Sequence, residues 1–171
     1  MDDNIDGEAI GTKFGSSVSL SSNGEIVAIS ASLYAGNGRN NSGHVRVYEL
    51  NSNSGKWSQL GDDIDGEAEG DQSGSSVSLS DNGRIVAIAA PYNDGNGDDS
   101  GHVRVYELNE SLQWIILGDD IDGEVIGDQF GFSVSLSGNG RTVAISSTPG
   151  NDDDYVYDDN TSSGYVNFYK W

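Results

Sequence analysis

Acidic side chains at short, repeated spacings are the first chemistry this sequence offers. Asp63-x-Asp65-x-Glu67 followed by Asp71 places acids at relative positions 1, 3, 5 and 9, and Asp120, Asp122, Glu124 and Asp128 repeat the pattern. Hard divalent ions suit such sets, because calcium takes six to eight oxygens from carboxylates, amide carbonyls and water. Near the start of the chain the pattern weakens to Asn4, Asp6, Glu8 and Thr12, and its glycine stands fourth, not sixth as in an EF-hand loop. A second candidate is Asp94-x-Asn96-x-Asp98. Calcium is therefore the expected cofactor, and the competing reading is a solvated acidic face that serves solubility.

Other reactive types point away from catalysis. His44 and His102 are the only histidines, and they occupy equivalent places in a repeat, which suits a structural role better than a catalytic pair. No Gly-x-Ser-x-Gly elbow with a histidine partner occurs, and the absence of cysteine removes thiol nucleophiles, disulfides and thiolate metal sites. Carboxylate pairs could serve a glycoside hydrolase, but the acid would need a raised pKa in a dry pocket, and these acids lie in glycine-rich loops. No enzyme activity is expected. Tyr34, Tyr92, Tyr155 and Tyr157 lie among the acidic loops, where aromatic faces beside carboxylates suit a sugar or peptide ligand, whereas Trp57 and Trp114 begin strands and are expected to cover an outer edge. Asn-x-Ser/Thr sequons at Asn40, Asn109 and Asn160 are possible glycosylation sites if the protein is eukaryotic and secreted.

The elements that must position these residues follow from an internal repeat. Asp3-Asn4-Ile5-Asp6-Gly7-Glu8 recurs as Asp62-Asp63-Ile64-Asp65-Gly66-Glu67 and as Asp119-Asp120-Ile121-Asp122-Gly123-Glu124, which divides one 171-residue domain into units 3–61, 62–118 and 119–171. In each unit a strand A alternates around Val-Ser-Leu (Ser16–Ser21, Ser75–Ser80, Phe132–Ser137), and an Asn-Gly pair then predicts a tight hairpin with two positive φ values. Strand B (Ile26–Ser30, Ile85–Ala89, Thr142–Ser146) is a continuous apolar run, as expected of a strand covered on both faces. Strand C (His44–Leu50, His102–Leu108, Tyr165–Trp171) alternates, and strand D is Trp57–Leu60 and Trp114–Leu117. Four short antiparallel strands per unit, with no helix signal, describe an all-β protein of propeller-type blades whose third blade lacks its fourth strand. The alternative is a β-prism or β-trefoil, in which three sheets close on themselves.

Phe14-Gly15 and Phe130-Gly131 opening strand A, Ala89-Ala90-Pro91 closing strand B, and Gly43-His-Val-Arg-Val-Tyr48 resemble the FG-GAP repeat of integrin-α-type propellers. Ser73-Gly74 departs from that pattern, as do Ser30-Ala31-Ser32 and Ser147-Thr148-Pro149. The family's calcium loop lies between its first two blade strands, where this chain has the Asn-Gly hairpin, so the family's metal ligands do not carry over. The resemblance implies an extracellular or cell-surface propeller, commonly non-enzymatic and engaged in adhesion or scaffolding.

Composition sets the limits on partners. The chain carries 28 Asp and Glu against 8 Lys and Arg, a formal charge of −20. Such a surface repels phosphate backbones and anionic lipid, and no apolar run approaches the ~18 residues of a membrane span, so neither nucleic acid nor membrane insertion is expected. Met1-Asp2-Asp3-Asn4 has no signal-peptide character. In a four-stranded meander the B–C and D–A connections share one end, and all acids except Glu25, Glu49, Asp81, Glu107 and Glu110 fall in those connections, with Lys13 and Arg39 to offset them.

Propellers typically close with four to eight blades, and three are present. Neither terminus is expected to supply the missing strand D, which leaves Tyr165, Val166, Phe168, Tyr169 and Trp171 of the last strand C as an open edge, a template for another chain. The expectation is a non-catalytic module for self-assembly or adhesion, as a closed ring or an open filament, that also engages a glycan or a cell-surface protein. A calcium-dependent glycan-binding module is the alternative, and an accessory domain of a polysaccharide-degrading enzyme a third.

Overall fold

The computed structural model describes residues 4–35, 38–148 and 163–171. The remaining residues include Asp2 and Asp3, the acids between 152 and 159, Tyr155, Tyr157 and the sequon at Asn160, all of which lie outside the described residues. Three antiparallel sheets follow one another along the chain. The first contains β1 (Phe14–Leu20), β2 (Ile26–Ala31), β3 (His44–Asn51) and β4 (Lys56–Gln59), in that spatial order. The second contains β6 (Ser76–Leu79), β7 (Ile85–Ala90), β8 (His102–Leu108) and β9 (Trp114–Ile116), and the third β11 (Ser133–Leu136), β12 (Thr142–Ser146) and β13 (Val166–Lys170). Each sheet is a blade, and the third has no fourth strand among the described residues. Among the described residues no helix is long and apolar enough to cross a membrane.

The second strand of each sheet is the buried centre. In β7, Val86, Ala87, Ile88, Ala89 and Ala90 are all buried. Their alternation sorts the packing: Val86 and Ile88 join Ile26, Ala28, Val45 and Val47 in a core between blades one and two, while Ala87 and Ala89 join Val134, Leu136, Val143 and Ile145 in a core between blades two and three. Both cores are formed between consecutive blades, and Val18 and Leu20 of the first blade stand exposed. That open face is incompatible with the threefold prism or trefoil, which would cover it with the third sheet.

Two local expectations are corrected. The A–B hairpins do not use two positive φ values: only the glycine (Gly24, Gly83, Gly140) is left-handed, and the asparagine before it is not. The asparagine side chain builds the turn instead. Asn23 Oδ1 accepts the Ser21 hydroxyl at 2.8 Å and the Glu25 N–H at 3.1 Å, and Gly24 N–H donates to the Ser21 carbonyl, which makes a wider loop around an i to i+3 turn. Strand D, moreover, does not end at Leu60. After a break it continues as β5 (Ile64–Asp65), which pairs with the start of β3 (Val45 opposite Ile64, His44 opposite Asp65), and β10 (Ile121–Asp122) pairs likewise with β8. The sheet of blade one therefore extends to Asp65 and that of blade two to Asp122, beyond the unit boundaries drawn from the sequence.

Candidate functional site

The acidic end of the molecule is organised by two arginines. In blade one Arg46 of β3 donates from Nε to Asp63 Oδ1 at 2.7 Å and from Nη2 to Asp63 Oδ2 at 2.6 Å, and the same Nη2 reaches Glu8 Oε1 at 2.5 Å. In blade two Arg104 repeats this with Asp120 at 2.7 and 2.6 Å and with Glu67 at 2.5 Å. Bidentate pairing of a guanidinium with a carboxylate is the strong form of ion pair. It holds Asp63 and Asp120 below the usual carboxylate range, and it raises both arginines further above theirs. The knots fasten strand C to the continued strand D and to the connection that precedes the blade. Sequence reasoning placed only Lys13 and Arg39 among the acids and missed Arg46 and Arg104. The signal was present: an arginine recurs at one strand position in units one and two, each with an aspartate at a fixed place in the linker.

Beside each knot lies a histidine. His44 is 1% exposed, with both ring nitrogens buried and without hydrogen-bond partners among the described residues, and Tyr34 leans on it at 4.1 Å between ring centroids. Burial, then the charge of Arg46, pushes the His44 imidazolium pKa down, and burial followed by Arg104 does the same to His102. His102 has a compensating neighbour, with Nδ1 3.8 Å from Glu67. Among the described residues two groups thereby bring metal-ligand atoms within 4.8 Å of one another, Glu8–His44–Asp63 and His102–Asp120–Asp122. These acidic groups could hold a metal ion. They mix imidazole with carboxylates, and a guanidinium already supplies positive charge to Glu8, Asp63 and Asp120.

The acids that the sequence grouped by spacing divide among several partners, although Asp120 and Asp122 stay close together and Glu67 and Asp71 share one amide donor. Asp63 turns to Arg46, while Glu67 turns to Arg104 and also accepts Asn93 Nδ2 at 3.2 Å; Asp71 is buried and accepts the same Nδ2 at 3.0 Å. Asp65 and Asp122 lie opposite the histidines on β5 and β10. Asp120 is in its knot, Glu124 is exposed, and the Asp128 carbonyl accepts Thr148 N–H at 2.9 Å. In the B–C loop Asp94, Asn96 and Asp98 are exposed; Asp94 Oδ1 accepts Asp99 N–H at 2.9 Å, and Asn96 Nδ2 donates to the Gly123 carbonyl at 3.1 Å. The loop and the D–A linker run together, with Gly127, Gln129 and Phe130 N–H groups donating to the carbonyls of Asp98, Asp99 and Ser100. A side chain at Gly43 or Gly101 would strike the Ser73 or Phe130 carbonyl, and both glycines have positive φ, so only glycine fits this crossing. Tyr34 and Tyr92 are half-buried at this end. Asn40 is exposed and donates to Glu69, whereas Asn109 accepts Ser111 and Gln113 N–H groups in a turn.

The faces of the blades carry a second pattern. Ser17 and Ser19 hydroxyls of β1 accept the N–H groups of Val77 and Leu79 on β6, at 3.1 and 2.9 Å. Ser76 and Ser78 of β6 accept those of Val134 and Leu136 on β11, at 3.1 and 2.9 Å. Each strand A thus offers serines to the blade after it, and presents N–H groups, valine and leucine to the blade before it. Val77 and Leu79 are 6% and 7% exposed, whereas Val18 and Leu20, in the same register on β1, are 62% and 58% exposed. At the other end Ser133 and Ser135 are exposed, and Val166 and Phe168 are 54% and 70% exposed where their counterparts Val103 and Val105 are buried. Tyr169 and Tyr165 pack on Phe130, and Trp171 is 40% exposed. Ile5 lies beside Tyr48 and Trp57 on the first blade as Ile64 lies beside Tyr106 and Trp114 on the second.

A family model described as the FG-GAP repeat matches residues 64–106, from β5 through β8. No curated protein matches the sequence significantly. Among solved structures, a periplasmic gluconolactonase of Pseudomonas aeruginosa is similar at 16% identity, over 78% of this chain and 36% of that one, with a TM-score of 0.49. The tricorn protease is similar at 14% identity, over 77% of this chain and 11% of that one, with a TM-score of 0.44. The chain spans little more than a third of the first and about a tenth of the second.

Proposed function

We propose that this chain is a non-catalytic propeller module, extracellular or at the cell surface, that works by self-assembly and adhesion through its open blade faces. The observation that carries this reading is the exposure of Val18, Leu20, Val166 and Phe168 where the same positions of neighbouring blades form the core. Burying side chains of this size is worth about 1.5–3 kcal/mol each, so both faces are costly without a cover. A non-catalytic role accords with the acidic end: the knots keep Asp63 and Asp120 ionised by pairing them with arginine, which disqualifies them as general acids, and His44 is shut beneath Tyr34.

Calcium belongs in this reading at the B–C loops, where Asp94, Asn96 and Asp98 have no arginine. Partial burial and the charges of Asp94 and Asp98 push the Asp99 carboxyl pKa up, a repulsion that a bound cation relieves. A calcium-dependent glycan-binding module is the second reading, favoured by half-buried Tyr34 and Tyr92 at the same end. Size-exclusion chromatography with light scattering, in calcium and again in EDTA, tests the first: assembly is expected, and a monomer under both conditions overturns it. A saturable, EDTA-sensitive response on a glycan array would select the second.

A further inference from the structure

Among the described residues the buried side-chain polar atoms without a hydrogen-bond partner belong to a single side chain: they are Nδ1 and Nε2 of His44. Its repeat counterpart His102 is not left in this state, and has a Glu67 carboxylate oxygen 3.8 Å from Nδ1. A buried donor or acceptor with nothing to bond is a standing cost to the fold, and a bound ion is one of the few things that accounts for it.

The His44 ring is aimed at charge. One of its nitrogens lies within 4.8 Å of a carboxylate oxygen of Glu8 and of one of Asp63, and those two oxygens lie within 4.8 Å of each other. The three side chains come from separate elements: His44 opens β3, Asp63 immediately precedes β5, and Glu8 stands in the connection ahead of β1. Arg46 does not exhaust the two acids. A carboxylate has about four acceptor positions; Glu8 bonds Arg46 and Tyr34, while Asp63 accepts twice from Arg46 and once from Gln59. Nor does Arg46 cancel their charge, since two carboxylates face one guanidinium. The Glu8 and Asp63 side chains are 40% and 28% exposed, which gives an ion a way in from the carboxylate side.

The donor set selects the ion. An imidazole nitrogen with two carboxylates suits zinc and its neighbours among the divalent transition metals, which accept nitrogen and oxygen together, whereas calcium and magnesium take oxygen. We propose that blade one binds a divalent transition-metal ion of the zinc class on His44, Glu8 and Asp63, with Arg46 kept as the outer partner that orients both carboxylates. The group His102–Asp120–Asp122 offers the same donor types without an orphaned nitrogen, so the tighter site is the one in blade one. This site is separate from the B–C loop assigned to calcium, and it does not depend on the assembly reading.

Zinc titration of the untagged 171-residue chain, first stripped with EDTA, tests the proposal by calorimetry and by proton–nitrogen correlation spectra of its two imidazoles. Saturable binding is expected, with nitrogen shifts at His44 ahead of any at His102. Weak, unsaturable binding that moves neither imidazole would mean loose condensation of cations on an acidic surface and would overturn the proposal, as would shifts that come first at His102. Calcium in place of zinc is expected to leave the His44 nitrogens unmoved, and an equal shift with calcium refutes the donor argument. Glu8→Gln, at an exposed position outside the core, is expected to keep the native circular dichroism and to weaken zinc by about tenfold or more, the least that even outer partners of a bound metal contribute. His44→Leu is expected to weaken zinc at least as much; if that variant does not fold, Glu8→Gln and the imidazole spectra decide alone. Zinc affinity unchanged in Glu8→Gln removes Glu8 from the site and the proposal with it.

Discussion

The junction between blades one and two and the junction between blades two and three are built on one polar frame and filled with different side chains. Both use two serine hydroxyls that accept two strand-A N–H groups, at the same distances within 0.1 Å. The apolar filling differs. At the second junction Phe130 is buried in one cluster with Val103 and Val105, with Tyr165 and Tyr169 packed beside it, while the same position at the first junction is Ser73 and the cluster there includes Leu60 and Ile64 with Trp114 against it. Hydrogen bonds between serine and backbone therefore set the register, and volume is supplied locally by whatever fits.

The comparison breaks most sharply at its largest side chain. Phe130→Ala is expected to cost about 3–5 kcal/mol, because a fully buried aromatic leaves a cavity, and a urea denaturation that shows less than about 1 kcal/mol would place Phe130 outside the core. The polar frame comes next. Changing Ser17 and Ser19 together to alanine strands two N–H groups, at about 1 kcal/mol or more each, and changing Ser76 and Ser78 should cost about as much. Unequal losses by calorimetry would show that the two frames are not equivalent.

Smaller effects distinguish the knots and the histidines. Asp120 titrates below its unfolded value, so its stabilisation is complete above about pH 4 and is lost as pH falls through the lowered native pKa. Arg104→Met should flatten that acid limb in urea midpoints measured from pH 6 downward; an unchanged limb would remove the knot from the account. His44 has a lowered native pKa, so the unfolded chain takes the proton first, and its contribution is whole above about pH 6.5 and falls as pH drops from there towards the native value. His44→Leu removes two unsatisfied nitrogens and is expected to change stability by less than about 1 kcal/mol at pH 7.5 while abolishing its share of the decline below pH 6.5. A large loss at pH 7.5 would mean that His44 makes a bond essential to the fold.

Much of the fold was legible because period and repetition leave direct marks. The apolar run Ile85–Ala89 was recognisable as a strand covered on both faces. The continuation of strand D was not legible, since Ile64-Asp65 sits inside an acidic, glycine-flanked stretch whose composition reads as a loop. Nor were the knots. Spacing along the sequence placed Asp63 and Glu67 in one ligand set, as a continuing strand would keep residues an even number apart on one face, but β5 ends at Asp65 and the linker then turns, so the two carboxylates reach arginines of different blades.

The serine frame also has a consequence for how such a protein changes size. Every blade is a brick with studs on one side and sockets on the other, and all bricks share one pattern. Inserting or deleting a whole unit of 57 or 59 residues brings studs against sockets again at the splice, and only the apolar filling of the new junction has to be refitted. Length in this architecture is a count of bricks, free to vary by ones, while any partial unit would leave a row of N–H groups with nothing to hold.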